Sequence, residues 1–95
     1  MAIKVLITRT INKDQEVAVR PFLKELRQCA LKSKGYISGE SLISADNLDE
    51  QLIISSWETR DDWESYLESE EAKEIRYKID QTLGKSSVFK IYYVR

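Results

Sequence analysis

The sequence predicts an α+β fold of the ferredoxin-like, split βαβ class: a four-stranded antiparallel sheet with helices on one face. Three observations lead there. The residue periodicity runs strand, helix, strand, strand, helix pair, strand. The first, third and last strands carry large apolar side chains on both faces. The chain has 95 residues, of which 42 % are hydrophobic and 33 % charged, which suits a single domain over residues 1–95 and leaves no room for a second.

Ile3 to Ile11 is β-branched or apolar with Lys4, Thr8 and Arg9 interspersed and no turn residue, the signature of a first strand. Ile3, Val5 and Ile7 point one way and Leu6 the other. Asn12 to Asp14 signals a turn. From there to Lys34, residues Val19, Phe22, Leu23, Leu26, Cys29 and Ala30 recur at helical spacing. Pro21 lacks a backbone donor and fits best near a helix start, so the regular helix is expected to begin close to Ala18, after a looser turn over Asp14 to Val17. Lys32, Lys34 and Gly35 provide cations and a glycine for its C-terminal end.

Tyr36 to Ala45 reads as a strand, Asp46 to Asp49 as a hairpin turn, and Glu50 to Glu58 as the third strand, with Leu52 and Ile54 opposite Ile53 and Trp57. Thr59-Arg60-Asp61-Asp62 fits a capping box, with Thr59 accepting from an orphan amide and Asp62 reaching back. Trp63, Tyr66 and Leu67 then share a helix face. Ser69 is a second cap for a helix that turns Ala72, Ile75, Ile79 and Leu83 inward and stops at Gly84. Ser87 to Arg95 is the last strand. With helices on one side only, the two-sided strands leave an apolar sheet face uncovered, and a two-fold homodimer packed through that face would bury it.

Composition excludes several function classes. Residues 1–35 hold eight Lys/Arg against three Asp/Glu, and 36–74 hold two against twelve, for a net charge of −1. Neither sign dominates, so no nucleic-acid partner is expected, and the third strand lacks the exposed aromatic and basic residues of an RNA-binding sheet. Charges at Lys4 and Arg9 break the N-terminal apolar stretch and no run approaches a membrane span, so no membrane association is expected and a cytoplasmic location is. Without histidine there is no imidazole base, no Ser-His or Cys-His nucleophile and no histidine metal ligand; one cysteine builds no thiolate site. No metal site is therefore expected, and no Gly-rich nucleotide loop is present.

The candidate ligand-pocket residues are Trp57, Trp63, Tyr66, Arg76 and Tyr77. The aromatic members would gather where the third strand meets the following helices and stack on a planar ligand, or serve simply as core. Arg76 would either hold an anionic oxygen or stand solvated. No catalytic residue can be named. Cys29, on the apolar stripe of the first helix, reads as a small buried hydrophobe.

Trp57-Glu58-Thr59, preceded by Leu-Ile-Ile-Ser-Ser and followed by Asp62-Trp63, resembles the antibiotic biosynthesis monooxygenase family. Lys34 to Glu40 (KGYISGE) is similar to that family's lead-in to its second strand, and Leu83-Gly84 before a Tyr-rich strand agrees. The resemblance implies a dimeric α+β barrel with a pocket between sheet and helices. In the branch that oxidises polycyclic phenols to quinones without metal or flavin, the strand-three tryptophan is matched by Trp57. An asparagine four residues earlier and a tyrosine six later correspond to Ile53 and Trp63, and an arginine falls near Arg76 or Tyr77. The haem-degrading branch relies on a histidine, which this chain lacks. What the resemblance implies is a monooxygenase-like enzyme with no cofactor, acting on a planar phenol- or quinol-type aromatic small molecule. The alternative is a non-catalytic small-molecule-binding or sensory dimer of the same fold.

Overall fold

The computed structural model describes residues 1–95. In order the elements are β1 (Ile3–Thr10), α1 (Glu16–Leu31), β2 (Tyr36–Ile43), β3 (Glu50–Trp57), α2 (Arg60–Glu68), α3 (Glu70–Leu83) and β4 (Val88–Tyr93). The strands form one antiparallel sheet in the order β2-β3-β1-β4, the ferredoxin-like arrangement. No helix is long and apolar enough to cross a membrane.

Register decides which residues meet the helices. Ile3 lies opposite Trp57 and Tyr93, Val5 opposite Ser55 and Ile91, Ile7 opposite Ile53 and Phe89. Directly opposed residues share a face, so these rows form the inner surface. Ile3, Val5, Val19, Trp57 and Ile79 are the largest fully buried side chains. The inner row of β1 continues past Ile7 to Arg9, which is only 5 % exposed. The other face presents the rows Lys90–Leu6–Ile54–Glu40 and Val88–Thr8–Leu52–Leu42, with Val88 and Leu42 exposed.

The caps are where sequence logic places them. Thr59 Oγ1 accepts from Asp62 N at 3.0 Å and Ser69 Oγ from Ala72 N at 3.3 Å. Gly84 ends α3 in the left-handed conformation at φ 72°. Only one limb of the capping box forms, because the Asp62 side chain is taken up elsewhere: it packs over Gly35, where a Cβ would overlap it. Gly35 also sits at φ 84°, and its carbonyl accepts from Glu58 N at 2.7 Å, so this turn clamps the α1–β2 junction to the start of α2.

The start of α1 differs from the expectation. The helix begins at Glu16, two residues before Ala18, and Pro21 lies inside it. A proline there frees the carbonyl four residues back, that of Val17. Val17 is exposed, so the freed carbonyl lies in a part of the helix open to solvent, and the helix continues. Gln15 anchors the start: its Oε1 accepts from Asn12 N at 3.1 Å and its Nε2 donates to Leu83 O at 3.3 Å, tying α1 to the end of α3.

Candidate ligand-binding site

Between α1 and the β1–β3–β2 part of the sheet lies a cavity of about 310 Å³. It exists because the inner faces of β2 and β3 are small where α1 crosses them. Gly39, Ser41 and Ser55 line it, and Ala30 is small on the helix side. Large side chains at those positions would close helix onto sheet at ordinary packing density. Gly39 has a second role. A Cβ there would stand 2.6 Å from Tyr36 Oη, so the glycine leaves room for the Tyr36 ring to lie along its own strand.

One end of the cavity is an aromatic wall. Trp57 is 1 % exposed and touches three rings: Tyr36 edge-on at 5.3 Å between centroids, Trp63 at 5.7 Å and Tyr66 at 5.1 Å. Trp63 continues the cluster edge-on to Phe89 at 5.7 Å. Edge-on and tilted pairs at these separations suit the ring quadrupoles. The Trp57 indole N–H donates to Ser55 Oγ at 3.1 Å, two residues back on the same face of β3. Trp57 is thus core and cavity wall together, with its one polar atom already satisfied inside the protein.

The polar element of the cavity is Arg9. Burial has stripped water from its guanidinium, which lowers its pKa, while nearby Tyr66 and Asp80 act in the opposite sense. Nε donates to Ser87 Oγ at 2.9 Å, and the Nη groups have no protein acceptor. No carboxylate pairs with it. An arginine remains charged in proteins, so the cavity carries a cation with no contacting carboxylate, on which Asp80 acts from beyond ion-pair distance. Tyr66, close by, is held well above the usual tyrosine pKa of 10.0, chiefly by burial. It is a neutral phenol at neutral pH, able to donate a hydrogen bond but not to act as a base. Glu40 is the one carboxylate residue along the cavity, yet it lies opposite Ile54, on the outer face of the sheet. The interior therefore offers a cation, hydroxyls and aromatic faces, and no general base. No three His, Cys, Asp or Glu side chains converge to hold a metal ion.

Of the sequence candidates, Trp57, Trp63 and Tyr66 line this cavity, and Arg76 and Tyr77 do not. The inward stripe of α3 is Ala72, Ile75, Ile79 and Leu83. Tyr77, two residues past Ile75, is rotated about 200° from it and is 62 % exposed. Arg76 turns back to α2, where Nη2 donates to Leu67 O at 2.6 Å. The cavity instead recruits Arg9, Tyr36 and Ser55, together with Arg20, Lys24 and Arg27 of α1. Arg9 was accessible to sequence reasoning: one more step of two past Ile3, Val5 and Ile7 places it on the inner face, and a second places Ile11 there. Arg20, Lys24 and Arg27, at i, i+4 and i+7, form a stripe along one side of α1.

Solved structures share this fold throughout. A protein of Methanosarcina mazei Go1 superposes with a TM-score of 0.89 at 20 % identity, covering 100 % of this chain and 94 % of its own. Rv0793 of Mycobacterium tuberculosis gives 0.85 at 16 %, covering 100 % and 96 %. SnoaB of Streptomyces nogalater, a cofactor-independent oxygenase, gives 0.84 at 12 %, covering 99 % and 93 %. At these identities the likeness is one of fold. No curated protein matches the sequence. Residues 2–78, which run from β1 through most of α3 and include every residue that lines the cavity, match the family model described as antibiotic biosynthesis monooxygenase. The chain belongs to the antibiotic biosynthesis monooxygenase family.

Proposed function

We propose that this protein is a cytoplasmic, cofactor-independent oxygenase that oxidises a planar, electron-rich phenol or quinol in the cavity beside Trp57. The observation that carries this reading is the buried Arg9, in no ion pair, lining the same cavity as Trp57, Trp63 and Tyr66. A neutral apolar ligand would leave that charge without a counter-ion. A phenol that ionises against it supplies one. Ionisation raises the electron density of the ring, and the substrate then provides all the electrons for dioxygen. The ring carbon para to the phenolate, a methylene in the keto (anthrone) tautomer, becomes a carbonyl: one oxygen atom of dioxygen enters the product, and the other leaves as water with the para hydrogen and the phenolic proton. With no base in the cavity, the substrate must be acidic enough to ionise under the influence of Arg9 alone. Tyr66 can donate to the developing oxyanion.

The test is oxygen uptake with a panel of hydroquinones and anthrones in metal-free buffer. Uptake above the uncatalysed rate that falls on Arg9→Met supports the assignment; no acceleration across the panel refutes it. The absence of a base also supports a second reading, a binding or sensory protein that holds the same anion without turning it over. Tight binding without uptake would select it.

The outer face of the sheet supports a homodimer. Its row Lys90–Leu6–Ile54–Glu40 is cationic at one end, anionic at the other and apolar between. A two-fold axis running along the strands would set Lys90 of each copy over Glu40 of the other and bury the leucine and isoleucine. Sedimentation equilibrium is expected to show a dimer at micromolar concentration, and a monomer there would remove the proposal.

A further inference from the structure

The ladder between β1 and β4 ends at the pair Thr8–Val88. The next residue on each strand, Arg9 on β1 and Ser87 just before β4, turns to the inner face. There Arg9 Nε donates to Ser87 Oγ at 2.9 Å, the one protein hydrogen bond its side chain makes. Ser87 is placed by the reversal out of α3. Gly84, at φ 72°, donates its N–H to Asp80 O at 2.8 Å and turns the chain back through Lys85 and Ser86. Gln15 Nε2, on Leu83 O, ties the same reversal to the start of α1. Asp80 stands at the other end of this turn, half-buried and next to the buried Ile79. Its charge acts on the Arg9 guanidinium, yet the two form no ion pair. Around a side chain only 5 % exposed, an arginine and a carboxylate attract strongly and pair when free to do so.

We propose that Ser87 is a positioning residue, whose hydrogen bond to Nε holds the Arg9 guanidinium away from Asp80 and leaves the Nη groups free to receive an anion from the cavity. A bond at Nε fixes the plane of the guanidinium fork without occupying its outer N–H groups. Without it the guanidinium turns about its stem onto Asp80, and the two charges neutralise each other. The cavity then loses its cation although Arg9 is still present. Ser87 and Asp80 both lie beyond residues 2–78, so a turn outside the stretch that matches the family model sets the direction of a residue inside it. The direction of Arg9 is argued from geometry alone. Its effect on activity rests on the reading of Arg9 as the group that receives the phenolate.

Nuclear magnetic resonance of the arginine side chains in the isotope-labelled full chain reads the direction, and oxygen uptake reads the effect. The Arg9 signals are identified by their loss in Arg9→Met. The Nη protons should be averaged and fast to exchange with water in the unsubstituted protein and in Ser87→Thr. In Ser87→Ala, held by Asp80, they should become resolved and exchange about tenfold more slowly, and in Ser87→Ala/Asp80→Ala they should return to the averaged signal. With the hydroquinone and anthrone panel, Ser87→Ala should lower kcat/KM about tenfold and Ser87→Thr should keep it. Asp80→Ala introduced into Ser87→Ala should restore most of the loss, whereas a residue that merely supported the fold would lose more when a second polar group is removed. Ser87→Cys, of nearly the same shape with a weak acceptor, should give the pattern of Ser87→Ala if that variant fails to fold. Nη signals that stay averaged in Ser87→Ala, or an uptake loss that Asp80→Ala leaves unchanged or deepens, would overturn the proposal. No uptake even by the unsubstituted protein would refute the oxygenase reading alone, and the Nη signals would then decide where Arg9 points.

Discussion

Replacing Arg9 with methionine should stabilise the protein while disabling its cavity. The side chain is 5 % exposed, has no carboxylate partner and makes one protein hydrogen bond, to Ser87. Methionine of similar length loses that bond, which costs about 1.5 to 2 kcal/mol for a charged donor. Against this, the effective penalty for desolvating one ion is several kcal/mol, offset in part by the attraction of nearby Asp80. The net expectation is about 1 kcal/mol of added stability, which for a domain of this size raises Tm by about 4–8 °C. Urea unfolding and a thermal melt on both proteins measure it, and oxygen uptake with the hydroquinone and anthrone panel should fall in the variant. If Arg9→Met is instead destabilised by 1 kcal/mol or so, Arg9 serves as a structural hub and the case for an empty anion site fails.

Other substitutions test the frame around the cavity. Trp57→Ala removes the ring that joins Tyr36, Trp63 and Tyr66 and should cost about 3–5 kcal/mol, read from the urea midpoint, whereas Trp57→Phe keeps most of the contacts and should cost clearly less. Gly35→Ala combines a positive φ with overlap on Asp62, whereas Gly84→Ala meets only the φ penalty in open space. Both should destabilise, Gly35→Ala by more, about 2–3 kcal/mol against about 1 in the same assay. The raised pKa of Tyr66 predicts an alkaline limb. Below the unfolded value near 10 the phenol is neutral in both states and stability is flat; above it the unfolded chain ionises first and stability falls. Tyr66→Phe should remove that part of the decline in a pH series of melts.

Much of the fold was legible because its signals are local. Thr59, Ser69 and Gly84 cap helices by chemistry that needs no tertiary context, and strands apolar on both faces announce a buried sheet. The start of α1 was less legible, since Pro21 is tolerated only because Val17 faces water, which is a tertiary fact. The site divides in the same way. Trp57, Trp63 and Tyr66 could be read from the strand–helix junction, but a charged residue within an apolar strand reads most simply as the solvent side, and this hid Arg9. The cavity itself is made by absence. β2 shows little alternation, and three small residues, Gly39, Ser41 and Ser55, give no pattern from which a void can be inferred until α1 is laid across them.

The three small positions also have a consequence for how such a protein can change. β2 is an edge strand whose residues are mostly exposed, whereas the buried core is carried by β1, β3 and the helices. A substitution at Ser41 that enlarges the side chain would reshape the cavity without touching the Ile3–Val5–Trp57 packing. Cavity size can therefore vary on an edge strand, at Gly39 and Ser41, apart from the Arg9 charge and the Trp57 wall that lie in the core, and descendants of one ancestor could resize the cavity by drift along that edge while the scaffold stayed as it is.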